Sequence, residues 1–128
     1  MYSITHRVVI EATPAQLFNA LTEQQGLAAW WTDNSSSPTL DHVNQFYFGQ
    51  PNESGQRHTV KMAITHITPN LNVTWQCIEG PWQDTGPFTF DIAPDERGCV
   101  LKFCHSGWPE QADFLGHCNA KWGFFFTV

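Results

Sequence analysis

The last stretch of this chain, from His105 to Val128, limits the fold more than any other. His105 closes an apolar, strand-like run, and Ser106-Gly107-Trp108-Pro109 reads as a turn. Pro109 suits the first turn of a helix, where its missing N–H costs nothing. From Glu110 onward apolar residues recur at helical spacing: Phe114 and Leu115, Cys118, Trp122, then Phe125 and Phe126. Glu110 and Asp113 lie where the positive end of the helix dipole favours acids. As a helix, residues 110–128 would span roughly 28 Å, enough to cross a small sheet. Everything upstream reads as short strands that could form the surface beneath it. The expected fold is α+β, a curved antiparallel sheet of about six strands wrapped on a long C-terminal helix.

Taken in order, residues 2–11 alternate as a strand, with Ile4, Val8 and Ile10 on one face. Thr13-Pro14 then gives an N-cap followed by proline at the first helical position. The spacing predicts a helix over 14–22, carrying Leu17, Phe18 and Leu21 on one side, and a second short helix over 23–30. Residues 32–43 are polar and turn-rich, a loop or irregular edge. Strands are expected at 44–50, 57–68, 72–79, 86–93 and 98–105, separated by Pro51-Asn52, Ser54-Gly55, Pro69-Asn70, Gly80-Pro81 and Pro94-Asp95 with Gly98. Such short intervals favour antiparallel pairing over crossovers. At 128 residues, a single domain over 1–128 can bury one core without staples.

Composition narrows the partners. Aromatic and charged residues are equally frequent at 14% each, and ten Phe with six Trp are more than a tight two-layer core buries easily. Large rings leave gaps, which points to a cavity or an apolar patch. The net charge of −6 and the lack of a basic stripe argue against nucleic acid and anionic membranes. No apolar run approaches a membrane span, and no leader precedes the first strand, so no membrane insertion is expected. Cys77, Cys99, Cys104 and Cys118 lie singly in apolar segments, as reduced core residues of a cytoplasmic protein do. The histidines are scattered without HExxH or zinc spacing, and GxSxG, Walker and GxGxxG patterns are missing. No metal or other cofactor is expected.

Several segments, in this order, resemble one family. Ala12 to Glu23 and Gly26-Leu27-Ala28-Ala29-Trp30-Trp31 are similar to the opening of the START-like helix-grip (SRPBCC) superfamily. Trp75-Gln76-Cys77, Gly80-Pro81-Trp82, Thr85, Phe90, His105 to Trp108, Cys118-Asn119 and Trp122-Gly123 continue the pattern. Within the superfamily the chain looks like homologues of the activator of the heat-shock-protein-90 ATPase. The resemblance covers nearly the whole chain. It implies a deep cavity between sheet and long helix that takes lipids, sterols, polyketides or other apolar molecules. It does not imply one reaction, because members include carriers, cyclases and chaperone regulators.

Alternation puts Trp75 and Cys77 on one strand face, and Leu101, Phe103 and His105 on another. Phe88, Phe90 and Ile92 share a third face, and Val60, Met62 and Ile64 a fourth. With Phe114, Cys118 and Trp122 on the helix, these faces would line the cavity, and Trp31, Trp82 and Trp108, at element ends or turns, would form its rim. Each of these residues is also an acceptable ordinary core residue. His105 is the sharpest candidate: it could donate to a ligand carbonyl, act as a general base, or be a buried histidine bonded to a turn carbonyl. Catalysis would need a partner to orient it, for which Glu79 is available at a strand end. No catalytic residue is assigned.

Three functions remain open at this point. The leading one is binding of a small apolar molecule; the second is a polyketide cyclase or aromatase using the same cavity; the third is regulation of a chaperone ATPase. Against the third, no second domain is expected, nor a docking patch on a charge-poor surface. At the C-terminal end, Gly123-Phe124-Phe125-Phe126-Thr127-Val128 has no capping glycine, basic last turn or polar tail, as if the helix were shortened. Consecutive helical residues point about 100° apart, so Phe124, with His117 and Lys121, should face away from the core. An exposed ring there suggests a homodimer.

Overall fold

The structure is a computed structural model that describes residues 2–31, 43–48, 53–54, 58–108 and 113–126. Its elements run β1 (Tyr2–Ile10), α1 (Pro14–Thr22), α2 (Gln24–Trp30), β2 (Val43–Phe48), β3 (His58–Thr68), β4 (Asn72–Glu79), β5 (Phe88–Asp95), β6 (Gly98–Trp108) and α3 (Asp113–Phe126). The six strands form one antiparallel sheet in the order β1-β6-β5-β4-β3-β2. Five of the strands follow each other as a meander, and β1 is laid back against β6. That return is the helix-grip arrangement expected from the sequence.

The first helices form for local reasons. Thr13 Oγ1 accepts the Gln16 N–H at 3.1 Å, while the Gln16 side chain accepts the Thr13 N–H at 2.9 Å. This reciprocal box satisfies two donors that a helix start otherwise leaves unpaired. Pro14 follows at the first helical position. Leu17 and Leu21 point into the core, and Trp30 Nε1 donates to the Ala20 carbonyl at 2.8 Å, tying α2 back onto α1. The two helices approach closely at Gly26, where a Cβ would lie 2.8 Å from the Ala20 Cα.

Two strands run on past their expected ends. β6 does not end at His105; it continues to Trp108, and Ser106-Gly107 form a bulge rather than a turn. Ile4 pairs with His105 but Tyr2 pairs with Trp108, so β6 holds one residue more than β1 between those pairs. Gly107 takes φ +73°, a left-handed conformation natural to glycine. The extra residue shifts the alternation, so that His105 and Trp108 both turn inward and are buried. β5 likewise runs through Pro94 to Asp95, with the turn at Glu96-Arg97. Pro94 is tolerated because the pairing of β4 with β5 stops at Asn72↔Asp91.

Further bulges lie in the pairing of β3 with β4, between Lys61 and Met62 and between Ile64 and His66. Bulges bend and twist a sheet, here around the face that receives α3. α3 covers fourteen residues, about 21 Å of helix. Its proposed start at Pro109 and Glu110 lies outside the described residues. So do the side chains of Phe114, expected on the cavity wall, and of His117, Phe124, Phe125 and Phe126, on which the outward-facing ring and dimer expectation rests.

Candidate functional site

The inward face of the sheet is a continuous layer of rings. Trp75 on β4 packs against Phe90 on β5 with ring centroids 4.6 Å apart, and Phe90 against Phe103 on β6 at 5.0 Å. From α3, Trp122 lies 4.6 Å from Phe103 and 5.3 Å from Trp31, and Trp31 stacks on Trp75 at 5.4 Å. Phe46 of β2 closes the far side, 4.6 Å from Trp31. The strand residues Phe46, Trp75, Phe90 and Phe103 are here by parity, because the inward set of a strand is its alternate residues, whereas the end of α2 delivers Trp31 and α3 delivers Trp122.

Met62, Trp75, Cys77, Phe90, Phe103, Cys118 and Trp122 are all buried in this one cluster. Trp31 and Trp108 differ from the rim expected of them. Trp31 is only 8% exposed and sits amid Phe46, Trp75 and Trp122, because α2 delivers it over the sheet. Trp108 is 5% exposed, turned in by the bulge. Trp82 is half-buried in the turn between β4 and β5. Its indole N–H donates to Cys118 Sγ at 3.4 Å, joining the turn to α3. Burial pushes the Cys118 thiol pKa up, with a smaller opposing effect of that bond. Burial also raises the Cys77 thiol pKa, offset in part by backbone N–H donors of Trp82 and Glu79.

His105 is fully buried. Its ring stacks on Phe88 with centroids 3.7 Å apart, lies 5.0 Å from Trp108, and faces the edge of Trp82 at 6.3 Å. Its Nε2 is 2.7 Å from Thr85 Oγ1, and the Thr85 hydroxyl is itself 2.7 Å from the Trp82 carbonyl oxygen. Gln76 Nε2 donates to the Thr85 carbonyl at 3.1 Å and steadies the same turn. Burial lowers the His105 pKa to about 3, so the ring is neutral at physiological pH. Nδ1 is buried and has no hydrogen-bond partner among the described residues, and the same holds for Trp75 Nε1.

Those two atoms lie on one row across the sheet, since Trp75 pairs with Phe88 and Phe88 with His105. Two strand spacings, about 9.5 Å, separate their backbones. The proposed orienting carboxylate is not among them: the Glu79 side chain is 65% exposed and bonds Lys61 Nζ at 3.1 Å. Among the described residues no Asp or Glu is buried, and no group of three His, Cys, Asp or Glu is placed to hold a metal ion. A pocket of about 300 Å³ lies on the opposite, outer face of the sheet, lined by Thr5, Arg7, Asp91, Lys102 and Cys104 among others. It shares only Phe103 with the expected site.

Two contributors escaped the sequence reading. Phe46 could have been found from the alternation in Asn44-Gln45-Phe46-Tyr47-Phe48, which also puts the buried Asn44 on the inner face. Thr85 stands in the resembled pattern, but its bond to His105 spans twenty residues and leaves no local signal.

A six-stranded antiparallel sheet with a return strand, two short leading helices and a terminal helix over an aromatic face defines a START-like helix-grip protein. Within that class the sequence model for activator of Hsp90 ATPase homolog 1-like proteins matches residues 11–127, and the chain belongs to this family. The Aha1 dimer from Colwellia psychrerythraea, solved in solution, is 32% identical with a TM-score of 0.86, over 99% of this chain and 92% of that one. A Mesorhizobium loti protein, MLL2253, shares the fold at 21% identity and TM-score 0.80, over 98% of this chain and 92% of that one. DynU16, from the dynemicin biosynthetic locus, shares it at 16% identity and TM-score 0.77, over 96% of this chain but 44% of its own length. No curated protein matches the chain. Among the described residues no helix is long and apolar enough to cross a membrane.

Proposed function

We propose that this protein, as one domain over 1–128, binds a small, mainly apolar molecule between its sheet and α3. The observation that carries this is that Trp75 Nε1 and His105 Nδ1, both fully buried in a mainly apolar layer, have no hydrogen-bond partner among the described residues. Ligand sites combine apolar walls with a few placed polar groups, whereas an ordinary core pairs its buried polar atoms. Trp31, Met62, Trp75, Cys77, Trp82, Phe90, Phe103, His105, Trp108, Phe114, Cys118 and Trp122 are the proposed ligand-facing residues. An enzymatic role is the weaker reading, because a histidine with a pKa near 3 is a poor base and Thr85 rather than a carboxylate holds it.

The protein works as a homodimer in this proposal, supported by the dimeric Colwellia relative. The family name adds a chaperone-regulating role as the second reading. Four free thiols are in keeping with a cytoplasmic location. Native mass spectrometry of protein purified from its own cells tests both main statements. We expect the dimer mass carrying an added small molecule. Bare monomer, together with no thermal shift against fatty acids, sterols and flavonoids, would overturn the reading.

A further inference from the structure

We infer that the ligand carries a hydrogen-bond donor, the hydroxyl of a flat, apolar alcohol or phenol, and that His105 Nδ1 accepts it. This rests on the ligand-binding reading above and specifies the ligand's polarity. A threonine hydroxyl holds one proton. The Trp82 carbonyl, 2.7 Å from Thr85 Oγ1, can only accept, so that proton is committed to it. Thr85 Oγ1 therefore turns a lone pair toward His105 Nε2 at 2.7 Å, and Nε2 must carry the ring proton. In a neutral imidazole the other nitrogen is then a bare acceptor. Nδ1 is that nitrogen, buried and without a partner among the described residues.

The Trp82 indole N–H does not serve it, being used on Cys118 Sγ. A ketone, ether or carboxylate would bring lone pairs against a lone pair. A hydroxyl would complete the chain from ligand through His105 and Thr85 to the Trp82 carbonyl. The route in runs through the 80–85 turn. Trp82 is half-buried, and a thiol sulfur is a weak acceptor, so its 3.4 Å bond to α3 is cheap to open while Thr85 keeps the ring fixed. The aromatic walls, Phe88 stacked on His105 and Trp108 beside it, favour a flat ring system.

The test uses 2-naphthol and 2-methoxynaphthalene, which differ in the donor, with calorimetry at neutral pH. The naphthol should bind about tenfold tighter, the worth of one buried hydrogen bond. Thr85→Val removes the acceptor of Nε2–H and frees the tautomer, so the preference should collapse; His105→Phe should abolish it. Nitrogen-15 NMR of the wild-type ring should show Nε2–H and a pyridine-like Nδ1. Equal binding of both probes by the wild type, or an Nδ1–H tautomer, would overturn the inference and leave the apolar-ligand reading standing. Binding of neither probe would overturn both.

Discussion

Gly107 offers the sharpest test of how the site is built. Replacing it with alanine adds a Cβ that would lie 2.5 Å from Gly86 N and 2.7 Å from Gly86 Cα, with φ at +73°. Both obstacles are backbone, which cannot rotate away. The left-handed conformation alone costs a non-glycine residue roughly 1–2 kcal/mol. Relieving the clash means parting β6 from the segment before β5. That strains the Gly86 N–H to Ser106 carbonyl bond at 2.9 Å and the Ser106 N–H to Pro87 carbonyl bond at 3.1 Å. At about 1 kcal/mol each, the total reaches roughly 3–4 kcal/mol. With a urea m-value of about 2 kcal/mol/M, the unfolding midpoint should fall by roughly 1.5–2 M. Gly116→Ala is the matched control, since a Cβ there meets nothing within 4 Å on an exposed helical position. It should raise stability by about 0.5–1 kcal/mol. The same added methyl thus acts with opposite signs at the two sites. Equal midpoints for the two variants would refute the bulge as the device that turns Trp108 inward.

Two further outcomes follow from named groups. His105 titrates near 3 when folded against an ordinary 6.5, so only the unfolded chain takes up this proton between those values. Its contribution is intact above pH 6.5 and is lost toward pH 3, at up to roughly 1.4 kcal/mol per pH unit. Urea titrations from pH 7 to pH 5 should therefore fall more steeply for wild type than for His105→Phe, and parallel curves would contradict the buried neutral ring. Thr13→Ala removes the hydroxyl half of the capping box and should cost about 1 kcal/mol, a melting point lower by several degrees, while Thr13→Ser should restore it.

The order of elements was legible because each one announces itself locally. Thr13-Pro14 starts α1, β3 and β4 alternate, and Gly or Pro marks the intervals between strands. The failures are non-local. Ser106-Gly107 has turn chemistry, and only the ladder of β1 shows that the residues form a bulge in a continuing strand. Pro94 looks like a strand breaker until the early end of β4's pairing removes the demand for its N–H. Lone dipeptides cannot distinguish a chain that turns from one that bulges, because glycine serves both.

For the site, strand parity correctly grouped Trp75 with Cys77 and Phe103 with His105, since period 2 fixes the face of every residue once one is known. It could not place Trp31, whose position depends on how α2 folds over the sheet. Nor could it set the polarity of His105. A ligand carbonyl needs a donor at the free ring nitrogen, a ligand hydroxyl needs an acceptor, and the choice is made by what the other nitrogen touches. Thr85 makes that choice from a turn twenty residues away, and Trp82 makes it for Thr85 by taking the only hydroxyl proton. Residue types thus single out a histidine as a candidate contact, while the hydrogen-bond chain behind it decides which chemistry it can receive.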